Sequence, residues 1–178
     1  MVRSVLTYPN KKLKQKSKKI EVFDSNLHNL LDDMYETMLA HNGIGLAAIQ
    51  IGVASNVVVI ELRDEDENII LPRVEVINPV ILSRDGEIKY KEGCLSVPDF
   101  YEEVTRSADV VVEYCDRGGN INQIEADGLL AVALQHEMDH LDGRLFFERL
   151  SILKRKKFEK EYIPSVKQKG DKVKISDA

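Results

Sequence analysis

The stretch Leu129-Leu-Ala-Val-Ala-Leu-Gln-His-Glu-Met-Asp-His-Leu141 constrains the fold more than any other part of the chain. Its first two turns are almost wholly apolar, so a helix formed here has no polar face to offer solvent and has to be buried. It then carries two histidines and two carboxylates. His136 and His140 stand four residues apart, one turn along the same helical face, where two imidazoles can grip a single metal ion. Glu137, beside the first histidine, can act as general acid and base toward a water at such an ion. The plainer alternative is a surface helix with two incidental histidines. The chain has four histidines, and this motif uses half of them.

What surrounds that helix is read from periodicity. Ser25 to His41 repeats Leu27, Leu30, Leu31, Met34 and Met38 at helical spacing, with Asp24 or Ser25 as N-cap and Asn42-Gly43 as the stop. Residues 44–52 read as a compact loop. Asn56 to Leu62 is rich in β-branched residues and reads as a strand, and Val74 to Ile81 as another, interrupted by Pro79. Asp109 to Asp116, the turn Arg117-Gly-Gly-Asn120 and Ile121 to Ala126 read as a hairpin. Ser151 to Tyr162 reads as an exposed basic helix, and the last dozen residues as a disordered polar tail. The expected architecture is α+β: antiparallel or mixed sheets packed around a central metal-binding helix, with an N-terminal and a C-terminal helix.

With 178 residues, 43% of them apolar and 31% charged, the chain reads as one soluble domain over 1–178, with a basic C-terminal segment from about 151. No apolar run is long enough for a membrane span, and no apolar leader precedes Lys11 to Lys19, so a cytoplasmic protein is expected. Cys94 and Cys115 are then expected as reduced thiols. The formal charge of −5 is unevenly spread: +7 over residues 1–20, +6 over 144–178 and −18 between. Such ends are attracted to a polyanion such as RNA, or to the acidic body itself, unless they are simply solvated surface.

Two histidines do not complete a catalytic site, which usually has three protein ligands and an open position. A protease pattern that continues to a third histidine meets Phe146 instead. Glu159 and Glu161 are possible ligands but sit in the exposed basic helix. Cys94, in Glu92-Gly-Cys-Leu-Ser96 between a strand and Pro98, is the better candidate, and a thiolate with two imidazoles suits a first-row divalent metal. Its plainer reading, a small buried hydrophobe, fits Cys115 better. The loop Gly43-Ile-Gly-Leu-Ala-Ala-Ile-Gln50 lacks the residues of a phosphate loop; its glycines suit close approach of backbone to a ligand, and Gln50 offers an amide donor.

Together the stretches GIGLAAIQ (43–50), EGCLS (92–96) and QHEMDHLDG (135–143) resemble the peptide deformylase family, which carries all three in this order. The resemblance implies hydrolysis of the N-formyl group from the initiator methionine of nascent polypeptides, with release of formate. It implies one divalent metal ion, Fe(II) first and Zn(II), Ni(II) or Co(II) as alternatives, held by Cys94, His136 and His140. It gives Glu137 the proton transfers, and gives Gln50 and the backbone N–H of Leu95 the developing oxyanion. Leu129, Val132 and Ala133 precede His136 by seven, four and three residues and so share its face; with Ile44 they are the expected methionine pocket. Gly45 and Gly93 are expected to hydrogen-bond the extended peptide. The resemblance also includes a C-terminal helix able to dock at the ribosome, here through Lys154, Arg155, Lys156 and Lys157. Two other functions compete: a metallopeptidase, which expects a His or Glu as third ligand, and a ribosome-binding module with a structural metal, which expects a fourth.

Overall fold

The computed structural model describes residues 1–176. Helix α1 (Ser25–Ala40) starts where the Asp24 side chain accepts the Leu27 N–H at 3.1 Å. It buries Leu27, Leu31, Met34 and Met38, and ends at Asn42, which is left-handed (φ 55°). Seven strands follow: β1 (Gly45–Ala47), β2 (Val57–Arg63), β3 (Ile69–Asp85), β4 (Ile88–Cys94), β5 (Val97–Arg106), β6 (Asp109–Cys115) and β7 (Ile121–Asp127). Helix α2 (Gly128–Leu141), a 3-10 turn (Phe146–Arg149) and helix α3 (Ile152–Ser176) complete the order. The expected α+β architecture is present: a five-stranded antiparallel sheet, β1-β2-β3-β6-β7, and the separate antiparallel hairpin β4-β5.

The run Val57-Val-Val-Ile-Glu-Leu62 is apolar at successive positions because the sheet is covered on both faces. Val58, Ile60 and Leu62 join Ala131, Ala133 and Leu134 of α2, while Val57 and Val59 join the buried stripe of α1. Each such aliphatic side chain withdrawn from water contributes about 1.5–3 kcal/mol. Helix α2 is therefore flanked by the large sheet on one side and the β4-β5 hairpin on the other. Its C-terminus is a Schellman motif: Gly143 (φ 73°) donates to His140 O at 3.0 Å and Arg144 to Asp139 O at 2.9 Å. A side chain on Gly143 would strike the Lys14 carbonyl, so the N-terminal segment runs across the end of this helix.

Four expectations need correction. Residues 45–47 are a short strand on the edge of β2, and only 48–51 are a 3-10 turn, because their buried backbone groups need the ladder that β2 offers. Pro79 does not end β3, which continues to Asp85; Pro79 lies at a register shift between Ile77 and Val80, where no N–H is required of it. Strand β5 was unseen in the sequence. Helix α3 continues past Tyr162 to Ser176, with Pro164 inside it, so the expected disorder of the tail does not hold for its backbone up to that residue; the Lys and Gln residues that follow Pro164 are good helix formers. Residues 177 and 178 of that tail lie outside the described residues.

Candidate active site

Helix α2 and the end of β4 bring three donors to one point. His136 and His140, one turn apart, have ring centroids 5.1 Å from each other. Cys94 Sγ lies 3.3 Å from His140 Nε2, and the ligand atoms of Cys94, His136 and His140 all lie within 4.8 Å of one another. Among the described residues these three alone form such a cluster at this point, with no fourth His, Cys, Asp or Glu. Glu159 and Glu161 are exposed on α3, and Phe146 stacks on the His136 ring with centroids 5.8 Å apart. Both cysteines are free thiols, and Cys115 packs against the α1 cluster.

The orientation of His136 is set from behind. Its Nδ1 faces Glu92 Oε1 at 2.8 Å; a carboxylate only accepts there, so Nδ1 donates and Nε2 is left with its lone pair toward the cluster. Glu92 in turn accepts from Arg106 Nε at 2.6 Å and Nη2 at 2.8 Å. Arg106 Nη1 donates to Asp139 Oδ2 at 2.9 Å, and Asp139 also accepts from Arg149 Nη2 at 2.7 Å. Burial pushes the Glu92 and Asp139 carboxyls up, but these cations outweigh it and hold both below the usual range. The chain Glu92–Arg106–Asp139–Arg149 is the part of the site that the sequence reading missed. Its one visible signal was two acids, Glu92 and Asp139, inside the very motifs that carry the ligands.

Charge makes the cluster attractive to a cation. Burial alone would lower the His136 pKa, yet the Cys94 sulfur, Glu92 and Glu137 raise it well above normal, whereas burial and the neighbouring His136 lower His140. One proton on this group, or one divalent ion among its sulfur and nitrogens, supplies the positive charge that the surrounding acids call for. His140 Nδ1 and Glu137 Oε2 are buried without a hydrogen-bond partner in the protein. The donor set, its spacing and the His136–Glu92 bond all fit a bound metal.

Glu137 stands beside this point with its pKa pushed up to about 7, chiefly by burial, with Glu92 and Asp139 adding and His136 and Arg106 opposing. Gln50, 1% exposed, is held at both ends: its Oε1 accepts the Ala47 N–H at 2.9 Å, and its Nε2 lies 3.1 Å from Ser96 Oγ and 3.6 Å from Cys94 Sγ. The amide N–H2 is thereby aimed at the cluster. Leu95 follows Cys94 in the tight turn between β4 and β5.

A cleft of about 560 Å³ opens onto the site, a size suited to a small molecule or peptide end. Its lining includes all six expected substrate positions, Ile44, Gly45, Gly93, Leu129, Val132 and Ala133. Gly45 is required by close approach: a Cβ there would meet Glu137 Oε1 at 2.7 Å.

Comparison with known proteins agrees with this geometry. The sequence profile of the polypeptide deformylase family matches residues 2–156. A peptide deformylase from Nautilia profundicola is 55% identical over 172 residues, covering 96% of this chain and 99% of that one. The crystal structure of a peptide deformylase from Legionella pneumophila, 39% identical, superposes with a TM-score of 0.84 over 96% of this chain and 98% of that one. The Met-Ala-Ser-bound class I type b peptide deformylase from Acinetobacter baumannii is 32% identical, with a TM-score of 0.80 over 84% of this chain and 99% of that one. Three donors on one buried helix and one hairpin, matched in sequence and in fold over nearly the whole chain, place it in a single group: the chain belongs to the polypeptide deformylase family.

Proposed function

We propose that this chain is a metal-dependent hydrolase that removes the N-formyl group from the N-terminal formyl-methionine of nascent polypeptides and releases formate. The observation that carries the reading is the meeting of Cys94, His136 and His140 beside a buried Glu137, whose burial pushes its pKa up to about 7, at the floor of an apolar cleft. Cys94, His136 and His140 would hold a divalent ion, which when bound would supply Lewis acidity toward a carbonyl and lower the pKa of water. Glu137, with its pKa near neutrality, takes a proton from the attacking water and returns one to the departing amine nitrogen. Gln50 Nε2 and the Leu95 N–H donate to the oxygen on which negative charge develops. Ile44, Leu129, Val132 and Ala133 take the methionine side chain, and Gly45 and Gly93 hold the peptide backbone.

A donor set of one sulfur and two nitrogens accepts Fe(II), which we assign first, and also Zn(II), Ni(II) or Co(II). We read residues 1–178 as one catalytic unit acting in the cytoplasm. We further assign ribosome association to the basic start of α3. There Lys154 pairs with Glu102 at 3.1 Å and Arg155 with Glu159 at 3.4 Å, so Lys156 and Lys157 are the charges left to engage a partner. Formate release by anaerobically purified protein from formyl-Met-Ala, beside acetyl-Met-Ala and Met-Ala, tests the reaction. Release from the formyl peptide alone, lost in Cys94→Ser, is expected. Cleavage of the internal bond instead overturns the assignment.

A further inference from the structure

The basic segment 1–20, with charge +7, lies far in sequence from the basic C-terminal segment 144–178, with charge +6, but meets the start of that segment in the fold. Ser17 donates its N–H to Leu141 O at 2.8 Å, and the Lys14 backbone occupies the space beside Gly143. The Lys14 ammonium pairs with Glu148, and the Tyr8 ring meets Phe147 at 5.1 Å and Phe158 at 6.1 Å. Residues 8–17 are thus fastened along the end of α2, the turn 146–149 and the start of α3, with Leu13 and Ser17 buried as anchors.

The charges on this face are available. Lys11, Lys12, Lys16, Lys18 and Lys19 are exposed, and among the described residues none has an ion-pair partner. Ser17 is buried, with the exposed Lys16 and Lys18 on either side of it in sequence. Beside the same helix end, behind α2, a cleft of about 490 Å³ is lined by Arg84, Arg144 and Arg149. Arg149 is bound to Asp139, but Arg84 and Arg144 have no carboxylate partner among the described residues, even though Glu87 and Asp142 line the same cleft. A run of exposed lysines near planar guanidinium donors suits a phosphodiester chain.

We infer that the two ends form one composite face that binds the phosphate backbone of RNA, with the lysine segment 11–19 as its larger half and the arginine cleft as a phosphate seat. This deepens the ribosome reading above, on which it rests, and shifts its weight from α3 to the N-terminal segment. The other end of that segment, Val5 and Thr7, lines the active-site cleft, so RNA held here lies beside the cleft mouth.

The test is fluorescence anisotropy of a labelled short RNA duplex with the full-length, metal-loaded protein, between about 50 and 200 mM salt. Three variants are compared with the wild type: K11Q/K16Q/K18Q, R84Q/R144Q and K156Q/K157Q. The lysine-segment variant is expected to bind about tenfold more weakly and to lower the salt slope by two to three, about one for each phosphate no longer neutralised. R84Q/R144Q is expected to weaken binding by a smaller factor. Wild-type binding by K11Q/K16Q/K18Q, loss confined to K156Q/K157Q, or tighter binding to anionic phosphatidylserine vesicles than to RNA overturns the proposal. Formate release from formyl-Met-Ala, which these exposed residues do not touch, reports on the proposed reaction separately. Deformylation without RNA binding overturns only the face, and RNA binding without deformylation overturns only the reaction.

Discussion

Gly45→Ala probes the site with one added carbon. Gly45 has no left-handed backbone, so alanine fits β1 without strain, and the effect is confined to where its Cβ points. That Cβ would lie 2.7 Å from Glu137 Oε1, 3.0 Å from Cγ and 3.1 Å from Cδ. Ordinary contact begins near 3.4 Å, so the carboxylate has to retreat by about 0.7 Å. Glu137 is 5% exposed and enclosed, so the whole side chain gives way instead of one mobile tip. A displacement approaching 1 Å costs on the order of a hundredfold in rate, or about 2.7 kcal/mol at the barrier. The assay is steady-state formate release, with metal content measured on the same samples. The loss is expected in kcat, with one metal per chain retained, because Cys94, His136 and His140 are not displaced. A variant within twofold of wild-type kcat would refute the assignment of proton transfer to a carboxylate held at this spot.

Other perturbations have equally definite outcomes. Glu92→Gln releases the His136 ring from its charged acceptor and is expected to weaken metal binding 10- to 100-fold in competition with a chelator; unchanged affinity would show that the Nδ1 contact does not orient the ligand. Arg106→Leu strands the buried Glu92 carboxylate and is expected to lower stability to denaturant by about 3–5 kcal/mol; a cost under about 1 kcal/mol would contradict the burial argument. Glu61 is buried, and although burial raises its pKa, the Tyr35 hydroxyl at 2.6 Å and Arg63 bring it below the usual value. A depressed folded-state pKa gives stability that is full above the unfolded value, roughly pH 4.3, and lost as pH falls through the folded one. Glu61→Gln should therefore flatten the fall of melting temperature below that pH, and an unchanged profile would place the acid sensitivity elsewhere.

The parts of this site legible in the sequence were those with a period or a motif. His136 and His140 are visible because a helix repeats every 3.6 residues, and Leu129, Val132 and Ala133 follow from the same geometry. Strand β5 was not visible because its alternate positions Phe100, Glu102, Val104 and Arg106 mix apolar and charged side chains, so no polar–apolar alternation marks it. The reason emerges only in three dimensions: Arg106 points inward to join Glu92 and Asp139, contributed by another strand and by α2. Strand β1 is too short to show any period, and its pairing depends on β2 lying alongside. The basic ends were legible as charge but not as a surface, since Lys14 and Gly143 meet only through the tertiary fold.

The central claim is that three residues hold the metal while Glu137 moves the proton. Glu137→Gln keeps shape and volume and removes only the ability to accept that proton. Measured on protein whose metal stoichiometry has been determined, its formate release from formyl-Met-Ala is predicted to fall at least a hundredfold, with one metal ion still bound per chain. Wild-type release at full metal occupancy would contradict the account.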